Sequence, residues 1–197
     1  MSHYYITDKS LEDDYKELEY MYRGLSLKFI TNSGVFSRDR VDFGTRLLLE
    51  TLILNDQDKE IIDMGTGYGV IGISLAKLYP NKYFNLYDIN ERACELALKN
   101  QKLNKVNNVN VNVSNLFENV KVKADVVITN PPIRTGKDTI FKLYEDAYKS
   151  LNDEGRLYCV IQKKQGAPST LEKLKLLFNK VEILNKSKGY WIILAKK

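Results

Sequence analysis

The chain has 197 residues, of which 44% are hydrophobic and 28% charged, with a formal net charge of +5 and a pI near 9.0. That size suits one α/β domain with a buried core and is short for two, so a single domain over 1–197 is expected. No apolar run approaches the roughly eighteen residues of a membrane span. The start, MSHYYITDKS, lacks a basic-then-apolar leader, so no membrane partner and a cytoplasmic location are expected.

The modest lysine excess is compatible with nucleic acid without identifying it. Cys94 and Cys159 show no C-x-x-C spacing and read as structural thiols. His3 is the single histidine, which argues against a His-based triad and a histidine-rich metal site; no metal is expected.

In chain order, Leu11 to Tyr15 is acidic and reads as surface. EYMYR, Gly24 and LSLKFIT form two short strands around a turn, so 1–40 is expected to be an N-terminal extension with a hairpin ahead of the main fold over 41–197. NSGVFSRDRVDFGTR is a polar, glycine-punctuated loop, and Thr45 to Leu54 is apolar on more than one face, as a core helix would be.

Ile61 and Ile62 end a buried strand, and Gly65, Gly67 and Gly69 then remove side chains at alternate positions before a helix over Val70 to Tyr79. Strand, glycine turn and helix make a place where backbone approaches a ligand closely. The loop is G-x-G-x-G rather than the dinucleotide G-x-G-x-x-G, and Asp63 ahead of it would repel a pyrophosphate and suit an amine-bearing ligand. Asp88 ends the next strand, KYFNLYDI, where such folds place a ribose-binding acid.

Asn90 to Leu103 has helical apolar spacing, VNVNV at Val109 to Val113 alternates, and the asparagine- and lysine-rich stretch from Asn100 to Asn112 reads as solvated surface. ADVVITN is a buried strand running into Pro131 and Pro132. Asp138 to Leu151 reads as a helix with an acidic start, Gly155 opens the strand RLYCVIQ, and Pro168 opens a helix to Asn179. VEILN and YWIILA close the chain as an antiparallel pair. The alternation argues for a doubly wound, mostly parallel sheet with ligands outside the carboxyl ends of its strands and an antiparallel C-terminal edge.

Asn130-Pro131-Pro132-Ile133 stands on that same rim. The prolines fix φ and give up their N–H groups, leaving the Asn130 side-chain oxygen and the Pro131 carbonyl as rigid acceptors. An acceptor pair matches an exocyclic amine, whose delocalised lone pair is oriented toward an electrophile by binding both of its hydrogens.

DMGTGYG, Asp88, Ser114-Asn115-Leu116 and NPPI together resemble the class I S-adenosylmethionine-dependent methyltransferases over nearly the whole chain. GVFSRDRVDFGTRLLLE, NPPIRTGK and KKQGAPS resemble, more narrowly, the small-domain methyltransferases related to the 16S ribosomal RNA guanine methyltransferases. The resemblance implies a Rossmann-like α/β fold with a seven-stranded sheet. It also implies S-adenosylmethionine as cofactor, held by Gly65, Thr66, Gly67 and Gly69, with Asp63 organising the loop and its amine, by Asp88 and Ile89 at the ribose, by Asn115 and Leu116 at the adenine and by Asn130, with Asp42, Gly44 and Thr45 approaching from the preceding helix. Many relatives carry aspartate where this chain has Asn115.

Asn130, Pro131, Pro132 and Ile133 would hold and methylate the amine, although relatives often carry an aromatic where this chain has Ile133. Phe36 would supply the missing ring, and Arg38, Arg134, Lys137, Lys163 and Lys164 would meet phosphates. The expected substrate is the exocyclic amine of a guanine in ribosomal RNA or the small ribosomal subunit. The alternatives are a protein glutamine, a DNA adenine, or a non-catalytic cofactor- or RNA-binding subunit. A homodimer is left open.

Overall fold

The computed structural model describes residues 12–197; the segment through Leu11, with His3, lies outside the described residues. The chain runs through β1 (Lys16–Tyr22), β2 (Leu25–Thr31), α1 (Phe43–Thr51), β3 (Glu60–Met64), α2 (Val70–Leu78), β4 (Tyr83–Asp88) and α3 (Glu91–Leu103). It continues through β5 (Val109–Val113), β6 (Ala124–Thr129), α4 (Lys137–Ser150), β7 (Leu151–Gln162), α5 (Ala167–Leu177), β8 (Lys180–Ser187) and β9 (Tyr190–Lys196).

The expected doubly wound fold is present. A seven-stranded sheet has the order β5-β4-β3-β6-β7-β9-β8, and β1 and β2 form their own antiparallel hairpin. Strands β3 to β7 are parallel, and β9 runs antiparallel between β7 and β8. Its central strands are apolar on both sides. Ile61, Val126, Val160 and Ile192 bury against α1, α2, α3 and the hairpin, while Ile62, Val127, Ile161 and Ile193 bury against α4 and α5. Helices on both faces are why these strands read as continuous apolar runs.

Helix α1 begins at Phe43, two residues before the expected start, because the Asp42 carboxylate accepts from the Thr45 amide at 3.1 Å and caps the first turn. The helix stops at Thr51, and Leu52 is already extended. Strand β7 begins at Leu151 rather than Gly155: Leu151 pairs with Ala124, and a register irregularity separates that pair from Val126 opposite Arg156. A polar Asn-Asp-Glu stretch hides this first part of the strand.

The expected solvated surface after Asn100 is corrected at three asparagines. Asn100 on α3 and Asn104, the cap one turn further on, pair with the outer edge of β2. Asn100 accepts from the Ile30 amide at 2.6 Å and donates to its carbonyl at 2.9 Å, and Asn104 does the same with Lys28 at 3.0 and 2.7 Å. Asn108 donates to the carbonyls of Ala76, Tyr79 and Lys82. Side-chain amides thus finish a sheet edge that would otherwise be buried with unpaired backbone.

Strand β3 lies between β4 and β6, and the chain winds outward in opposite directions from these two sides. A crevice opens there at the carboxyl ends of the strands. Met64 is in register with Thr129, so the next residues, Gly65 and Asn130, emerge side by side.

Candidate functional site

The glycine turn forms one wall of a cavity of about 460 Å³. Gly65 and Gly67 have φ of 75° and 57°, values that a side chain disfavours. A Cβ on Gly67 would meet no atom within 4 Å, so the glycine also leaves open space above the turn. The Gly65 and Thr66 amides donate to the Tyr87 carbonyl at 2.8 and 3.0 Å. Gly67 donates to one Asp88 oxygen at 2.8 Å, and the Asn90 amide donates to the other at 2.9 Å. Burial raises the Asp88 pKa, partly offset by these amides.

Asp63 does not line the cavity. It is fully buried beneath the turn, where one oxygen accepts from the Thr66 hydroxyl at 2.6 Å and from the Gly72 amide at 2.9 Å, while Oδ1 has no partner. Burial pushes its pKa up to about 7 against the pull of those two donors. It braces the turn from below, as the expected organiser of the loop, but the expectation that it faces an amine is corrected. Gly69 is likewise outside the lining. It sits at the helix start with φ 95°, and a Cβ there would come within 2.6 Å of Ile73 and 3.3 Å of Ala97, so it serves packing.

Asn130, Pro131, Pro132 and Ile133 all line the cavity opposite this turn. The Pro132 carbonyl is taken by Thr135, through its amide at 3.0 Å and its hydroxyl at 2.7 Å. Among the described residues no protein donor reaches the Pro131 carbonyl. The Asn130 amide nitrogen donates to Thr45 Oγ1 at 3.0 Å and to Asp42 Oδ2 at 3.4 Å.

Thr45 lines the cavity as expected, but Gly44 does not. A Cβ at Gly44 would lie 2.9 Å from both Asp42 Oδ2 and the Tyr190 ring, so that glycine makes room for two side chains rather than for a ligand.

Between the walls, Ile89, Asn115 and Leu116 line the cavity. Leu116 has φ 48°, and its carbonyl accepts from the Ser114 hydroxyl at 2.7 Å; the Asn115 amide donates to Glu118 at 2.8 Å. Phe36 stands at the mouth, 51% exposed. Asp42 also lines it, as expected with Thr45, while Gln162, Gln165 and Tyr190 line it and were not foreseen. Gln162 was findable, since it ends β7 on the same rim. Tyr190 is its antiparallel partner, a pairing that only the fold supplies.

The expected cations are redistributed. Arg134 lines the cavity. Arg38 is instead ion-paired with Asp14 and donates to its carbonyl at 3.0 Å, so it fastens the segment before the hairpin. Lys137 lies over the Phe141 ring at 5.0 Å, beside a smaller pocket of about 130 Å³. Lys163 and Lys164 are exposed just outside the lining, next to Gln162. Arg46 and Lys188 both approach the Phe43 ring, at 5.7 and 4.9 Å, and that ring is 5.6 Å from Tyr190. Neither makes an ion pair within 4.0 Å among the described residues.

Cys94 and Cys159 are free and buried, and burial raises both thiols to about 12, as suits structural residues. Among the described residues no helix is long and apolar enough to cross a membrane.

Residues 26–194 match the family described as methyltransferase small domain. The chain is 42% identical over 197 residues to YbxB, an uncharacterized protein of Bacillus subtilis (strain 168), covering 99% of this chain and 98% of that one. It is 31% identical over 199 residues to the ribosomal RNA small subunit methyltransferase C of Actinobacillus pleuropneumoniae serotype 7 (strain AP76), covering 98% of this chain and 59% of the relative. The solved structure of the T. thermophilus 16S rRNA N2 G1207 methyltransferase (RsmC), in complex with AdoMet and guanosine, superposes with a TM-score of 0.82 at 21% identity. It covers 93% of this chain and 50% of that one. The chain thus spans about half the length of these two methyltransferases.

Proposed function

The chain belongs to the methyltransferase small-domain family, and from that premise we propose that it transfers a methyl group from S-adenosylmethionine to the exocyclic amine of a guanine in small-subunit ribosomal RNA. The observation that carries this reading is the adjacency of the glycine turn and the Asn130-Pro131 pair in one cavity. The residues present fit that cofactor. The space over Gly67 admits a ligand against bare backbone, and Asp88 on the same wall offers carboxylate oxygens to ribose hydroxyls. Gly65, Thr66 and Gly67 border the methionine portion, and Asn115 and Leu116 the adenine.

When bound, S-adenosylmethionine supplies a methyl group activated by its sulfonium centre. The Asn130 Oδ1 and the Pro131 carbonyl accept the two amine hydrogens and turn the nitrogen lone pair toward the glycine wall. Positioning of this kind replaces a strong base, because an amine sheds its proton readily once it is alkylated. Phe36 and Ile133 offer apolar faces to the base. Arg46, Lys163, Lys164 and Lys188 lie toward the Tyr190 side of the mouth, and a cationic border with interleaved rings suits a single-stranded polyanion. The name and bound guanosine of the related structure support guanine as the base.

Incubation with methyl-labelled donor and separate ribosomal RNA, protein and DNA fractions tests the proposal. Label is expected on a guanine exocyclic amine of small-subunit RNA. Label confined to glutamine in protein, or to adenine in DNA, would replace the substrate while keeping the amine chemistry.

A further inference from the structure

We propose that Asp42 and Thr45 are positioning residues which fix the direction of the Asn130 amide and thereby restrict that wall to hydrogen-bond donors. The inference rests on the amine-methylation reading above. An asparagine amide has two ends of nearly equal shape, and turning it over exchanges an acceptor for a donor.

At Asn130 the choice is forced. Asp42 Oδ2, 3.4 Å from the amide, belongs to a carboxylate and can only accept, so the NH₂ end must face it; Thr45 Oγ1 receives the same nitrogen at 3.0 Å. The reversed amide would set Oδ1 against the carboxylate; the Thr45 hydroxyl, which can donate as well as accept, holds whichever end faces it, so Asp42 sets the direction and Thr45 the position. With the nitrogen held, Oδ1 takes no donor from the described residues, and it is not among the buried unpartnered atoms. It is the open end of the amide.

The short sequence Asp42-Phe43-Gly44-Thr45 performs this as a unit. Asp42 Oδ2 also caps α1 through the Thr45 amide at 3.1 Å, so the helix start and the amide share one oxygen. Gly44 is required because a Cβ there would crowd Asp42 Oδ2 and Tyr190, both at 2.9 Å. A substrate group that offers only lone pairs to Oδ1, such as a ring nitrogen or a carbonyl oxygen, meets repulsion, whereas an NH₂ is accepted.

Thr45→Val keeps the shape and removes the hydroxyl, Thr45→Ser keeps the hydroxyl, and Asp42→Ser keeps a good helix cap while removing the accept-only carboxylate. With labelled donor and small-subunit ribosomal RNA, Thr45→Val and Asp42→Ser are expected to lower kcat about tenfold or more, as loss of a preorganised contact does. The KM for the donor and the Tm should stay near the parent's, and Thr45→Ser should restore kcat.

In parallel, the side-chain NH₂ signals of Asn130, assigned by their disappearance in Asn130→Ala, should be protected from exchange in the parent and lose that protection in Thr45→Val. Unchanged kcat and unchanged amide signals in Thr45→Val would overturn the inference. So would Thr45→Ser being as impaired as Thr45→Val. If the parent methylates no amine at all, the functional reading falls, and the amide signals still decide whether Asp42 and Thr45 fix Asn130.

Discussion

The glycine wall of the cavity is held by its own backbone amides on the end of the neighbouring strand β4, whereas the diproline wall is held side chain to side chain by a segment far away in the chain. Gly65, Thr66 and Gly67 hang from the Tyr87 carbonyl and the Asp88 carboxylate, with Asp63 as a brace underneath. Asn130, by contrast, is set by Asp42 and Thr45, 88 and 85 positions away in the chain. A backbone wall tolerates many side-chain changes but not a new Cβ, while a side-chain wall fails when a single functional group is removed.

The largest effect is therefore expected on the second wall. Asn130→Ala should lower methyl transfer by about a hundredfold or more, the scale of losing one preorganised polar group at a reacting centre. Calorimetry should show donor binding within about twofold of the parent, because the first wall is untouched. Loss of donor binding in this variant would mean that the walls do not work separately.

Gly67→Ala is the converse test. It places a methyl in the open space over the turn at φ 57°. Donor affinity should drop about tenfold or more, with a strain cost of about 1 kcal/mol seen as a lower Tm. Unaltered donor affinity would separate this turn from the cofactor.

Asp63 sharpens the comparison through pH. Its folded-state pKa near 7 is above the unfolded value of 3.8, so between these limits the native state holds a proton that the unfolded chain has released. Stability from this group is thus lost as pH rises through that window, by on the order of a few kcal/mol in total, and is level above it. Thermal melts of Asp63→Asn, whose amide oxygen still accepts from Thr66 and Gly72, should show a flatter fall in Tm from pH 4 to 7 than the parent. Parallel slopes would place the titration elsewhere.

The smallest effect belongs to the mouth. Lys188→Glu should weaken binding of a single-stranded oligoribonucleotide several-fold and lower the slope of log affinity against log salt by about 1, while donor binding is unchanged. An unaltered salt slope by fluorescence anisotropy would take the RNA strand off the Tyr190 side.

The order of strands and helices, the antiparallel close of the sheet, the glycine turn, Asp88 and the NPPI corner were all legible in the chain, because each is a local matter of periodicity, missing Cβ atoms or proline geometry. The misreadings have one source, the partner at long range. Asn100 and Asn104 look like surface until β2 is laid against α3, Arg38 looks like a phosphate ligand until Asp14 is beside it, and Gly44 looks like a cofactor contact until Tyr190 packs on it.

What the sequence determined alone was the backbone frame and the motifs at its strand ends, since these follow from steric and apolar patterning within a few residues. Tertiary structure alone decided which way the Asn130 amide points and that Arg38 pairs with Asp14 instead of lining the cavity. A polar side chain takes its role from the nearest complementary group, and here that group lies tens of positions away in sequence.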